Sequence, residues 1–189
     1  MRPALPSRIA GTKNRPRSRS ILRVAAAPGN PARGHLRRGS LALPIALGRS
    51  GIRANKREGD GATPRGRFRP KRLWWRADRM IRPATRLPVR RIGPDDAWCE
   101  DPSDRRYNHA IKLSPSSAGD RLWRDDHVYD LVIELDHNTR PRVKERGSAV
   151  FIHVARPGFS PTAGCVALEA RALRRLLTCL HPDAIIEIC

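Results

Sequence analysis

Along most of this chain the apolar residues come in short bursts, bounded by glycine and proline. The stretch "ILRVAAAPGNPARGHLRRGSLALPIALGRSGI" (21–52) predicts short strands separated by turns, with Pro28-Gly29-Asn30-Pro31 as one turn. "SLALPIAL" is an apolar strand, and Pro44 within it argues for an edge or a bulge. In "VYDLVIEL" (128–135), Tyr129, Leu131, Ile133 and Leu135 share one face and Asp130 and Glu134 the other, which predicts a strand with one buried face. "SAVFIHV" (148–154) and "AIIEI" (184–188) read as two further strands. Only "EARALRRLLTCL" (169–180) has helical spacing. Leu173, Leu176, Leu177 and Leu180 fall on one side and Arg171, Arg174 and Arg175 on another, and His181-Pro182 ends the pattern. Strands outnumber helices and no βαβ alternation is present. The expected fold is mostly β, sandwich- or barrel-like, with one helix in the C-terminal region.

The remaining segments punctuate this pattern. Residues 1–20 are rich in Arg, Pro, Ser and Gly without periodicity and read as a disordered basic tail, leaving 21–189 as one domain. "KREGDGATPRGRF" (56–68) is a glycine-rich loop that runs into a strand. Residues 70–127 hold all four tryptophans, Trp74, Trp75, Trp98 and Trp123, among many prolines and arginines. This stretch reads as an irregular insertion or lid whose tryptophans pack in the lid or the core.

Charge changes the picture less than its size suggests. The formal net charge is +20, and lysine appears only as Lys13, Lys56, Lys71, Lys112 and Lys144, so arginine supplies nearly all of the 38 basic residues. Such a field attracts polyanions. The arginines are spread along the whole chain, however, and a compositional bias accounts for them without a nucleic-acid footprint; no specific nucleic acid is expected. No apolar run approaches the roughly 18 residues needed to span a bilayer, and the basic, proline-broken start shows no secretory signal peptide.

Chemistry concentrates in "FIHVARPGFSPTAGCVAL" (151–168). The four cysteines, Cys99, Cys165, Cys179 and Cys189, form no C-x-x-C pair. His127, His137, His153 and Cys165 match no zinc spacing, so no metal is expected. Cys165 is different in its setting. It follows Gly164 at the end of a proline-stiffened loop, twelve positions after the strand-borne His153. A cysteine nucleophile needs an ionisable thiol, a base within reach, and N–H groups for the oxyanion. His153 supplies the base. Gly164 lets the backbone approach a substrate, Thr162 can bond within the loop, and the helix expected just after Cys165 would favour thiolate and oxyanion alike. Asp126, Asp130, Glu134 or a backbone carbonyl would orient His153. By spacing alone the pair reads more readily as a buried core thiol beside an unrelated histidine.

The same stretch resembles the signature of the L,D-transpeptidase (YkuD) catalytic domain: a strand-borne histidine, a loop, then Ser/Thr-x-Gly-Cys and an apolar residue, here Thr162-Ala163-Gly164-Cys165-Val166. Two further elements are similar to that family in the same order. "GDGATPRGRF" carries Thr63, Pro64, Gly66 and Phe68, and "YDLVIELDHN" carries Tyr129 and Asn138. The middle stretch "WCEDPSDRRYN" (98–108) marks a divergent branch of that family; Val154 stands where the family commonly has glycine and Ala167 where it commonly has arginine, which leaves substrate identity open. The resemblance implies a bacterial cell-wall enzyme of the periplasm or cell envelope, acting as a monomer without cofactor on peptidoglycan stem peptides. Cys165 would be the nucleophile and His153 the proton donor and acceptor, with Gly164 and Thr162 supporting the oxyanion. Resolution of the thioester by an amine gives a crosslink; resolution by water gives a carboxypeptidase or endopeptidase. A basic nucleic-acid-binding module with an inert cysteine is the reading from another class.

Overall fold

The computed structural model describes residues 20–114 and 119–189, so the tail expected over 1–20 lies outside the described residues except for Ser20. The N-terminal strands are β1 (Ile21–Ala27), β2 (Asn30–Arg38) and β3 (Leu41–Ala46), followed by the short β4 (Ile52–Arg53), β5 (Thr63–Pro64) and β6 (Gly66–Phe68). The middle of the chain forms β7 (Pro70–Trp75), β8 (Val89–Arg91), β9 (Asp96–Trp98), β10 (Ala110–Lys112) and β11 (Asp120–Arg121). The last third holds β12 (Leu131–Leu135), β13 (Phe151–Val154), β14 (Val166–Leu168), α1 (Ala170–Cys179) and β15 (Ile185–Ile188).

Ten of these strands form one mixed sheet in the order β6-β15-β1-β2-β3-β14-β13-β12-β7-β8. Its two ends are neighbours in sequence: Arg69 alone separates β6, at one edge, from β7, next to the other edge. A one-residue link forces the sheet to curl until its ends meet. The main core therefore draws Leu22 and Val24 of β1, Phe68 of β6, Leu73 of β7, Ile133 of β12 and Ile186 of β15 into one cluster. This is the mostly-β, barrel-like architecture that the strand pattern predicts. Among the described residues α1 is the one α-helix. Glu169 caps it, its carboxylate accepting the N–H of Arg171 (3.1 Å) and Ala172 (3.2 Å), and Leu173, Leu176 and Leu177 are buried against the core. Each buried leucine stabilises by roughly 2 kcal/mol.

Three expectations change. The stretch 70–127 is not irregular throughout: β7 and β8 belong to the main sheet, and β10-β9-β11 form a small sheet of their own. Trp74, Trp75 and Trp98 are buried, while Trp123 lies partly buried beneath the Arg76 guanidinium at 3.6 Å. β12 is buried on both faces, because β13 and β7 flank it and a second apolar cluster covers its other side; Glu134 is tolerated there through ion pairs with Lys71 (3.0 Å) and Arg72 (3.1 Å). The strand expected over 148–154 begins at Phe151, since Ala149 takes a left-handed backbone (φ 50°) that cannot continue a ladder. Pro44 does sit at an edge-like place. β3 pairs fully with β2 but meets β14 only at Ile45 and Ala46.

Candidate active site

The second apolar cluster carries the site. β13 and β14 run parallel, pairing Ile152 with Val166 and His153 with Ala167. One position earlier, the Phe151 N–H donates to Cys165 Sγ at 3.4 Å. Side chains alternate along a strand, so Phe151 and His153 share a face, and Cys165 joins them from β14's head. His153 and Cys165 are thus diagonal neighbours, roughly 8 Å apart at the backbone by ordinary strand rise and spacing. Both line a cleft of about 370 Å³.

The loop before Cys165 is pinned from both directions. The Thr162 hydroxyl donates to the Cys165 carbonyl (2.7 Å) and accepts the Gly164 N–H (3.1 Å). The Thr162 N–H donates to the Leu47 carbonyl (2.8 Å), and its carbonyl accepts the Arg49 N–H (3.0 Å). Thr63, from the glycine-rich loop, holds the Gly48 N–H at 2.8 Å and reaches the Cys165 carbonyl at 3.5 Å. Gly164 has φ +146°, and a Cβ there would lie 2.8 Å from the Ala62 carbonyl oxygen, so only glycine fits.

The two functional groups rest in neutral form. Burial lowers His153 to about 4, opposed by its hydrogen bond to the Val154 carbonyl and reinforced by the Arg156 and Arg124 charges. The Nδ1–H donates to that carbonyl at 2.9 Å, which leaves Nε2 as the free lone pair. The Tyr129 ring meets the imidazole edge-on at 5.3 Å. Burial pushes the Cys165 thiol up to about 12, against the Phe151 amide and with help from the Asp120 and Glu100 carboxylates. The thiol donates to the Ala149 carbonyl at 3.1 Å.

Sequence reasoning placed Cys165, His153, Thr162 and Gly164 together, and the structure brings all four to one cleft. Details of their support differ. No helix N-terminus stands at Cys165: β14 separates it from α1, whose first amides are taken by Glu169. The Gly164 N–H is occupied by Thr162, while the Cys165 N–H has no partner among the described residues. His153 is oriented by the Val154 carbonyl, not by a carboxylate. Asp126 pairs with Arg124 (2.7 Å) and Arg156 (2.9 Å), Asp130 with Arg79 (2.6 Å), and Glu134 with the basic residues of β7. His127 bonds Asp130 at 2.8 Å and His137 bonds the Arg146 carbonyl at 3.0 Å; neither lines the cleft. Cys99 is buried against Ala97 and Ile111, and Cys179 packs partly against the main core.

The residue that sequence reading missed is Asn108. Its side-chain amide donates to the His137 (3.0 Å) and Asn138 (2.9 Å) carbonyls, and its Oδ1 accepts the Trp98 indole N–H (2.9 Å) and the Ala149 N–H (3.2 Å). It therefore fixes the left-handed Ala149 whose carbonyl holds the thiol. Its own left-handed backbone (φ 56°) suits asparagine, but nothing local in "RRYNHA" marks it out.

A thiol and an imidazole on adjacent strands of a curled β-sheet, at the floor of an open cleft, define the class of the site. The family model of the L,D-transpeptidase catalytic domain, YkuD, matches residues 32–188, and the chain belongs to that family. Among solved structures it is similar to L,D-transpeptidase 1 of Mycobacterium tuberculosis, at 12% identity and a TM-score of 0.38, over 89% of this chain and 62% of that one. Among curated proteins none matches the chain.

Proposed function

We propose that this protein is a cysteine acyltransferase of the bacterial cell envelope acting on peptidoglycan stem peptides. The observation that carries this reading is the diagonal placement of Cys165 and His153 on one face of β13 and β14, at the floor of a cleft that substrate can enter. Cys165 Sγ attacks the carbonyl of a diaminopimelate-type residue, in the peptide bond that follows it, forming a thioester and breaking the C–N bond to the next residue. His153 Nε2 takes the thiol proton and delivers it to the departing amine. With the thiol held near 12 and the imidazole near 4, no thiolate–imidazolium pair exists beforehand. Proton transfer therefore accompanies C–S bond formation, when the thiol leaves the Ala149 carbonyl for the imidazole. The unpartnered Cys165 N–H faces the task of receiving the oxyanion, and Thr162 and Gly164 hold that amide in place. An amine then resolves the thioester into a crosslink.

The test is acylation by a carbapenem, located by intact and peptide mass. The expected adduct sits on Cys165 alone, is absent in Cys165→Ala, and forms at least about 10²-fold more slowly in His153→Ala. On muropeptides, Cys165→Ala abolishes dimer formation. An adduct on Cys99, Cys179 or Cys189, or full muropeptide activity in either variant, overturns the reading.

A further inference from the structure

The glycine-rich loop sends a cation into the cleft. Lys56 lines it, yet the residue is only 6% exposed. Burying an ammonium is costly, so its placement calls for a reason. Two glycines make room for it. A Cβ on Gly147 (φ +89°) would lie 2.8 Å from the lysine Cγ and 3.0 Å from its Cε, and one on Gly164 would lie 3.5 Å from Nζ. Gly147 stands two residues before Ala149, whose carbonyl holds the thiol, and Gly164 directly precedes Cys165. The lysine thus runs along one segment that frames the thiol and ends against the other. Its Nζ donates to the Asp60 carboxylate (2.5 Å) and the Arg57 carbonyl (2.9 Å), and Asp60 is itself fixed by the Arg57 and Ala62 amides, both at 2.8 Å. An ammonium carries three hydrogens, and the third has no partner among the described residues. The backbone beside it offers an oxyanion little. The Gly164 N–H is spent on the Thr162 hydroxyl, which leaves the Cys165 N–H alone where such a hole ordinarily has more than one donor.

We propose that Lys56 is a catalytic residue whose free N–H joins the Cys165 N–H as the second donor to the substrate oxyanion. The proposal rests on the acyl-transfer reading and adds a side chain to its machinery. An oxygen held about 2.9 Å from each of two donors needs them roughly 5 Å apart. The ammonium stands against Gly164, one peptide unit from the Cys165 amide, which is a separation of that order. As Cys165 Sγ bonds to the carbonyl carbon, the thiol proton passes to His153 Nε2 and the carbonyl π pair moves onto oxygen. Lys56 donates a hydrogen bond to that oxygen and keeps its proton. When the pair returns, the C–N bond breaks and His153 gives its proton to the departing amine. The Lys56 charge also reaches the sulfur. Burial raises the Cys165 thiol and the Asp120 and Glu100 carboxylates add to the rise, while the Phe151 amide and Lys56 oppose it. A charge-assisted donor is stronger than a neutral amide, so one ammonium replaces the amide that Thr162 has taken.

The experiment compares two reactions of the same sulfur in the full chain. Acylation by a carbapenem puts negative charge on a carbonyl oxygen. Alkylation by iodoacetamide forms a C–S bond and releases iodide, and no oxyanion develops. Both rates are read at Cys165 by mass, in the wild type and in Lys56→Met, which keeps the apolar stem and removes the donor. Lys56→Met is expected to slow acylation about 10²-fold and alkylation less than about threefold. A loss of fold moves both rates together, so their ratio is the readout. Should Lys56→Met not fold, Lys56→Gln carries the same comparison with a neutral donor, and the ratio is expected to fall at least about tenfold. Equal slowing of the two reactions, or acylation at the wild-type rate, overturns the role of Lys56 while wild-type acylation leaves the acyl-transfer reading standing. A wild-type Cys165 that alkylates but is not acylated overturns that reading and the role of Lys56 with it.

Discussion

The floor of the cleft and its walls are built on opposite principles. The floor is two short parallel strands whose residues, from Phe151 to His153 and from Cys165 to Leu168, are all buried. Its ionisable groups are uncharged at neutral pH because water is excluded from them. The walls are the reverse. Arg49, Glu58, Glu100, Arg124 and Arg156 come from segments far apart in the chain and bring ionisable side chains to the partly exposed rim of the cleft. The difference separates two tasks. On the proposed reading, a dry floor keeps Cys165 protonated until a substrate arrives, and the charged walls are what that substrate meets first. Asn108 couples the two, since it lies in the turn between β9 and β10 of the small sheet and fixes Ala149, whose carbonyl holds the Cys165 thiol of the floor.

Removing that coupling gives the largest expected change in stability. Asn108→Ala strands two buried N–H donors and leaves two carbonyls without their donor. At about 1 kcal/mol for each lost bond, the variant is destabilised by about 4 kcal/mol, read as a fall in the urea midpoint. Crosslinking falls further than stability explains, because Ala149 no longer holds the thiol. A stability change under 1 kcal/mol would show that floor and wall are independent.

Next is the dryness of the floor. His153 has a folded pKa of about 4 against 6.5 unfolded, so the unfolded chain binds the proton first as pH falls. The neutral imidazole's contribution is whole above about 6.5 and is lost progressively down to about 4. It amounts to about 3 kcal/mol for this group. In the stability difference between the wild type and His153→Gln, followed by urea denaturation from pH 7 to 4, the wild type should lose about that much more. A difference curve flat with pH would place the imidazole in water and end the contrast.

The smallest of the three tests the join between floor and glycine-rich loop. In Gly164→Ala the new methyl meets the Ala62 carbonyl oxygen, and an alanine is forced to φ +146°. A loss of about 2 kcal/mol follows, with carbapenem acylation slowed because the Cys165 amide shifts. A variant as stable as the wild type would mean that the loop yields freely.

The same contrast explains what could be read directly from the residues. β1 to β3 and α1 announce themselves because alternation and helical spacing are local consequences of burying one face, and β12 shows an alternating pattern although both of its faces are buried. His153 and Cys165 are legible for a related reason: neighbouring segments of one chain build the floor, so strand, loop, Thr162 and Gly164 all fall within residues 151–168. The support was less legible. β14 is too short to show alternation, so the helix was expected to abut Cys165, and the orienting group for His153 is a backbone carbonyl, which no side chain reveals.

What the amino-acid sequence determined by itself is the β-rich fold, the single amphipathic helix and the thiol–imidazole pair with its glycine and threonine, because each depends on periodicity or on residues close along the chain. Only the tertiary structure decided that Asn108 would fix Ala149, that Glu100, Asp120 and Ser148 would line the same cleft as Cys165, and that the resting dyad would be neutral. Those facts depend on which distant segments the curled sheet brings together and on how much water it excludes, and neither is encoded in any short stretch of residues.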